Sequence, residues 1–260
     1  MNFFNIINNG YVELTKNQIL NFQKDYMKNH NLNILCLDNV SCENLNSFCN
    51  EFSISNVNVE KSLKSADIPP VNFDFGSPQW LKITEIRLAE MFELVVHLGG
   101  AMHSEADVYW FKDPDPLMEK FSDYDWLMQH DNPHIDNTYL NIGCAFYTTT
   151  NGSKRLFNEW IEYHKNNNKI IDQEALMNVL DSYVARKNYK FGDHAHYEDA
   201  CKAMEVKIKT FAREDVQNGY NAFKESYVSK YNPYAVHTNH HVGLNTKIQL
   251  LKMINAWHLG

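Results

Sequence analysis

Short apolar runs and helically spaced apolar faces take turns along this chain. Asn31 to Asp38 (NLNILCLD) is a compact apolar run between polar residues, which predicts a buried strand with Asp38 at its carboxyl end. Ahead of it, Leu14, Ile19, Leu20, Phe22 and Tyr26 recur at helical intervals and predict a helix over 14–27. Asn44 to Glu51 reads as a second helix, and the alternation of Ile54 to Val59 as a second strand. Pro69-Pro70 makes Asp67 to Gly76 a loop. Ser77-Pro78 then opens a helix, with Ser as the cap and Pro in the first turn. Leu81, Ile83, Ile86, Leu88, Met91, Phe92 and Val95 carry that helix to a turn at Gly99-Gly100.

Ala101 to Phe111 (AMHSEADVYWF) predicts a strand, a tight acidic turn and a short strand, ended by Asp113-Pro114-Asp115-Pro116. Further strands are expected at Asp125–His130, Cys144–Thr148 and Val206–Phe211, with helices at Lys154–His164 and Gln173–Leu180. This alternation predicts an α/β sandwich around a mostly parallel sheet. No shift in composition divides the chain, so one domain over 1–260 is expected. Ligands of such sheets sit at the carboxyl ends of strands, which puts Asp38 and the Glu105–Asp107 turn on one rim.

Composition narrows the classes. With 44% apolar and 22% charged residues, the 260-residue chain is that of a globular protein with a sizeable core. A net charge of -8 argues against a nucleic-acid sheath, which needs a basic stripe. It also means that a phosphorylated ligand would need a local cation, either a metal or placed Lys and Arg side chains. The apolar run Leu94-Val95-Val96 is broken at His97 and Gly99, and nothing approaches the roughly 18 to 20 apolar residues of a transmembrane segment. Residues 1–10 lack the basic start and apolar middle of a signal peptide. Five cysteines without a CxxC pair suit a reducing compartment, so a cytoplasmic protein is expected.

Four constellations carry candidate chemistry. Glu105-Ala106-Asp107 places two carboxylates at the end of an apolar strand, where burial needs compensation. Mn²⁺ or Mg²⁺ would supply it, and a solvated acidic turn is the plain alternative. Val236-His237-Thr238-Asn239 offers an imidazole after a strand-like residue. Gly243 beyond it lets backbone approach a phosphate, and Lys247 adds a charge; an ordinary loop is the alternative. Leu140-Asn141-Ile142-Gly143 leads into a strand. Asp172-Gln173 opens a helix, where Asp172 is also a natural cap.

The order of these pieces is what makes them specific. AMHSEADVYWFKDP (Ala101 to Pro114) resembles the D-x-D-V-x-W signature of nucleotide-diphospho-sugar transferases, the family that includes plant arabinosyl-, galactosyl- and xylosyltransferases. Gln129-His130-Asp131, LNIG, Glu159-Trp160, Asp172-Gln173, VHTN, Gly243, Lys247 and Trp257 follow in the family's order, and Asn9-Gly10-Tyr11 resembles its opening, so the likeness spans nearly the whole chain. The resemblance implies a GT-A fold, a Rossmann-like sandwich, and transfer of a sugar from a nucleotide diphosphate, UDP by family default, to a glycan or other hydroxyl acceptor. It implies Mn²⁺ or Mg²⁺ on Asp107 and His237, with Glu105 at the first acidic position of the motif. That Glu departs from the usual Asp by one methylene, and a catalytically impaired sugar-nucleotide-binding protein is the alternative it raises. Gly243 and Lys247 match diphosphate contacts, Asp38 the nucleotide side, and Lys82 and Arg87 are further diphosphate candidates. Asp172 or Gln173 would face the sugar carbon, Asp131 the acceptor or a sugar hydroxyl, and Asn141 a sugar hydroxyl. Retention of configuration is implied by the resemblance. The absence of an anchor in the sequence suits the cytoplasm of a bacterial or virus-infected cell. A metal-dependent phosphohydrolase would have to recruit His194 and His196, or His240 and His241, as extra ligands.

Overall fold

The structure, a computed structural model, describes residues 1–65, 68–71, 73, 76–131, 139–167, 169–183, 201–224 and 227–259. His194, His196 and part of the predicted 67–76 loop lie outside these residues. The chain opens with β1 (Asn2–Ile7), a 3-10 turn at Asn9–Tyr11 and α1 (Val12–Asn21), then β2 (Asn31–Cys36), α2 (Asn39–Glu51) and β3 (Val57–Lys61). It continues through α3 (Pro78–His97), β4 (Ala101–Ser104), β5 (Val108–Trp110), α4 (Asp115–Lys120), β6 (Trp126–His130) and β7 (Leu140–Tyr147). After α5 (Asn151–Asn166) and α6 (Asp172–Ser182) come β8 (Ile208–Thr210) and β9 (Val216–Gln217). The last described elements are α7 (Gly219–Phe223), α8 (Tyr227–Tyr231), β10 (Ala235–His237) and α9 (Leu244–Met253).

Seven strands form the central sheet in the order β3-β2-β1-β4-β7-β6-β8, and β5-β10-β9 form a small second sheet. Only β7 runs against the others in the large sheet, pairing antiparallel with both β4 and β6. The expected mostly parallel α/β sandwich is the one observed. Successive residues of β1 explain the two layers. Phe3 points into a core shared with α1, α2 and β5, whereas Phe4 points into the core of α3, α5 and α6. Both rings are fully buried.

β1 lies mid-sheet, yet no run in the apolar pattern predicts it. Asn2 and Asn5 interrupt the apolar residues, and the buried Asn5 is satisfied instead by donating to Gln18 Oε1 at 2.9 Å. The first helix is shorter than 14–27. It ends at Asn21, whose side chain donates to Trp110 O at 2.8 Å and accepts from Trp110 N at 2.9 Å, tying α1 to β5. Ser77 caps α3 as expected, accepting from Trp80 N at 3.2 Å. The remaining predicted elements are present with shifted ends: α2 starts at Asn39 instead of Asn44, and β7 starts at Leu140 and takes in the whole of LNIG. Among the described residues no helix is long and apolar enough to cross a membrane.

Candidate active site

The carboxyl ends of β4, β6 and β10 and the amino end of β7 meet on one rim. β4 delivers Glu105, whose N–H donates to Gly143 O at 2.8 Å, so the acidic turn is pinned to LNIG. Val108 N closes the turn on Glu105 O at 2.9 Å and starts β5. β10 then lies antiparallel to β5 with His237 opposite Val108, which brings His237 beside Asp107 across a gap of more than a hundred residues. Its Nε2 is 3.2 Å from Asp107 Oδ1 and 3.4 Å from Glu105 Oε2. The other ring nitrogen, Nδ1, lies 2.8 Å from Gln129 Oε1 at the end of β6.

Cations and anions interlock around this pair. On α3, Arg87 Nη1 donates to Glu105 Oε1 at 2.9 Å, and Arg87 Nε donates to Asp172 Oδ2 at 3.0 Å. Lys247 on α9 pairs with Asp107 Oδ2, which also accepts from Thr238 Oγ1 at 3.1 Å. Burial would push the Glu105 carboxyl up, but the His237 hydrogen bond and the Arg87 charge outweigh it and hold it at about 2. Asp107 is likewise held well below the usual carboxylate range, against burial, by Lys247 and His237. Burial alone would lower the His237 ring; the Asp107 and Glu105 carboxylates lift it to about 9.

A second knot adjoins the first. Asp131 Oδ1 accepts from Asn141 Nδ2 and from Asn239 Nδ2, each at 2.9 Å, and its Oδ2 accepts from Gln173 Nε2 at 3.1 Å. Asn141 Oδ1 in turn accepts from Gly143 N at 2.8 Å. The structure therefore brings together Glu105, Asp107, His237, Arg87, Asp172 and Lys247 in one ion network, with Asp131, Asn141 and Gln173 beside it. Asp38 sits apart as the cap of α2: its oxygens accept from Ser41 N at 2.8 Å and Asn9 N at 2.7 Å, bracing the Asn9–Tyr11 turn. Lys82 is not brought to the cluster; it is exposed and paired with Glu85 at 2.8 Å. Gly243 precedes α9 with φ 95°, a left-handed value that favours glycine. His240 packs on Asp131 O at 2.7 Å, and His241 lies 3.4 Å from Gly219 O, so neither joins the carboxylate pair. Sequence reasoning passed over Gln129, Thr238 and Asn239, although all three lie inside motifs it had singled out.

Glu105, Asp107 and His237 can each offer one ligand atom within 4.8 Å of the others. Imidazole nitrogen with two carboxylates is a donor set suited to Mn²⁺ or Mg²⁺. Glu105 reaches His237 in spite of its extra methylene, because Arg87 holds its other oxygen back. A second trio, His30 with Asp113 and Asp115, has both carboxylates about half exposed and serves to tie His30 to Asp113 at 3.1 Å.

An open sheet with one reversed strand, a small second sheet and an acidic turn between them is the architecture of a GT-A glycosyltransferase. All of this chain overlays 97% of the galactosyltransferase LgtC, solved with donor and acceptor sugar analogues, at TM-score 0.56 and 11% identity. The bifunctional glycosyltransferase WbbM gives 0.52 at 11% identity, over 92% of this chain and 45% of that one. GlyE of Streptococcus pneumoniae TIGR4 gives 0.50 at 11% identity, over 97% and 59%. These likenesses are of fold. The chain belongs to the nucleotide-diphospho-sugar transferase family, whose model matches residues 28–251. No curated protein sequence matches it. It is a glycosyltransferase that draws on nucleotide-sugar donors.

Proposed function

We propose that this transferase is metal-dependent, with Asp107, His237 and Glu105 holding Mn²⁺ or Mg²⁺ against the diphosphate of a UDP-sugar. The sugar would pass, with retention, to a hydroxyl of a glycan or related acceptor. The observation that carries this reading is the convergence of one imidazole and two carboxylates at the rim where the strands end. When bound, the cation supplies Lewis-acid stabilisation of the departing diphosphate.

The chain's own residues do the rest. Lys247 adds a positive charge for the diphosphate, and Gly243 lets the backbone before α9 come close to phosphate oxygens. Arg87 splits its guanidinium between Glu105 and Asp172, so both carboxylates keep fixed positions. Held this way, Asp172 faces the positive charge that develops on the sugar ring, with the Gln173 amide next to it. Asp131, braced by three side-chain amides, accepts a hydroxyl of the sugar or the acceptor, and Asn141 orients beside it. For retention, the acceptor oxygen attacks on the face the diphosphate leaves, and its proton goes to a phosphate oxygen. Asp38 and the Asn9–Tyr11 turn it braces form the nucleotide side. All five cysteines are free, which suits a reducing compartment; the reading places the enzyme in the cytoplasm of a bacterial or virus-infected cell, with one catalytic domain over 1–260 as its unit.

Asp107→Asn keeps the shape and removes the charge. It is expected to lose Mn²⁺-stimulated donor turnover while remaining folded, and normal turnover by this variant would remove the metal assignment. Melting temperatures across a panel of nucleotide sugars, with and without Mn²⁺, report base and sugar, because ligands of the native state raise them.

A further inference from the structure

Gln129 is fully buried at the end of β6, and its Oε1 lies 2.8 Å from Nδ1 of His237, itself buried. Its Nε2 has no hydrogen-bond partner among the described residues. A buried amide left half-satisfied is a standing cost that an apolar side chain of similar volume would not carry. On the other side of the ring, Nε2 faces Asp107 Oδ1 at 3.2 Å and Glu105 Oε2 at 3.4 Å. Gly143 gives the ring its room, since a Cβ there would stand only 2.5 Å from His237 Cε1.

From this geometry we infer that Gln129 is a positioning residue for the metal ligand: its carbonyl takes the Nδ1 hydrogen and so reserves Nε2 of His237 for the cation. The inference rests on the metal-dependent reading above. A neutral imidazole carries one hydrogen, and an acceptor at Nδ1 decides where it goes. With the carbonyl taking the Nδ1 hydrogen, the proton that Nε2 shares with the two carboxylates in the metal-free protein is the one a cation would displace, and the lone pair it leaves faces both carboxylates. With the amide reversed, the hydrogen would sit on Nε2, and the same ring could not bind an ion. Outer partners of this kind typically change metal affinity by about 10–100-fold.

The test uses Mn²⁺ alone, with bound and free ion counted by electron paramagnetic resonance, on wild type, Gln129→Met and Gln129→Glu. Gln129→Met keeps the volume, removes the acceptor and also removes the orphaned amide. It is expected to bind Mn²⁺ about 10–100-fold more weakly while its melting temperature without metal stays near that of the wild type, because the orphaned amide is exchanged for an orphaned His237 Nδ1–H, a pairing that a merely structural role does not give. Gln129→Glu keeps an acceptor and is expected to stay within about threefold of wild type or to bind more tightly. Wild-type affinity in Gln129→Met overturns the inference and leaves the metal reading intact. So does a tenfold loss in folded Gln129→Glu, which decides the matter even where Gln129→Met does not fold. Failure of the wild type itself to bind Mn²⁺ sinks the metal reading instead.

Discussion

Gly143 leaves no room above its Cα. A methyl group there would lie 2.5 Å from both Glu105 Oε2 and His237 Cε1, the two side chains whose separation sets the size of the proposed ion site. Gly143→Ala is therefore expected to push them apart and weaken Mn²⁺ binding by tenfold or more, about 1.4 kcal/mol, with the central sheet intact by circular dichroism. Unchanged affinity would mean that the two side chains yield at no cost. Lys247 makes a complementary case. Its ammonium faces Asp107 and is the charge on α9 nearest the proposed diphosphate site. Lys247→Ala should weaken donor binding by about 1.5–3 kcal/mol, the usual range for a lost charged contact. An unaltered donor Kd in that variant would rule the role out. Lys247 was legible in the sequence as a charge beyond Gly243, with the order of motifs making it specific, whereas Gly143 stood only inside LNIG without a role; Gln129 was passed over because a lone Gln in a strand gives no periodic or charge signal.

Among the elements, α3 has two tasks: it packs Leu88, Met91 and Val95 under the sheet and delivers Arg87 to the two carboxylates. Its start depends on Ser77, whose hydroxyl satisfies Trp80 N–H. Ser77→Ala should cost about 1 kcal/mol of unfolding free energy, measured by urea denaturation, and no loss at all would show that the cap is redundant. This helix was fully legible, since cap, proline and apolar spacing agree within one local stretch. β1 was not. Its neighbours β2 and β4 supply the pairing and the burial, and Asn5 is tolerated there only because Gln18 answers it from α1. No local reading contains those partners. The same reason hid β9 and α9, which are too short or too weakly patterned to stand out before the small sheet forms.

For the molecule as a whole, acid should be the weak direction. His103 is fully buried and its ring is pushed down to about 4 by burial, despite the nearby Glu105 carboxylate. His164, also buried, is lowered for the same leading reason. In the unfolded chain both rings take a proton near pH 6.5. Below that point the unfolded state binds more protons than the folded one, so stability falls as the pH drops from about 6.5 toward 4. His103 alone can account for roughly 3 kcal/mol across that window, at about 1.4 kcal/mol per unit. Melting curves in metal-free buffer at pH 6.0 and 4.5 check this, below the range in which the raised His237 ring adds a slope of opposite sign, and His103→Asn should reduce the difference. An equal slope in that variant would assign the acid sensitivity elsewhere.

The small sheet β5-β10-β9 has a consequence for how the enzyme comes into being. Asp107 leads into one of its strands, and His237 ends another that pairs with it only near the close of the chain. A ribosome that has released residues 1–230 has made every strand of the large sheet, yet the emerging polypeptide still lacks the imidazole half of the proposed ion grip. Such a fragment should gain no protection from manganese against protease, and sugar-nucleotide chemistry stays silent until the last stretch of chain threads back beside the first acidic turn.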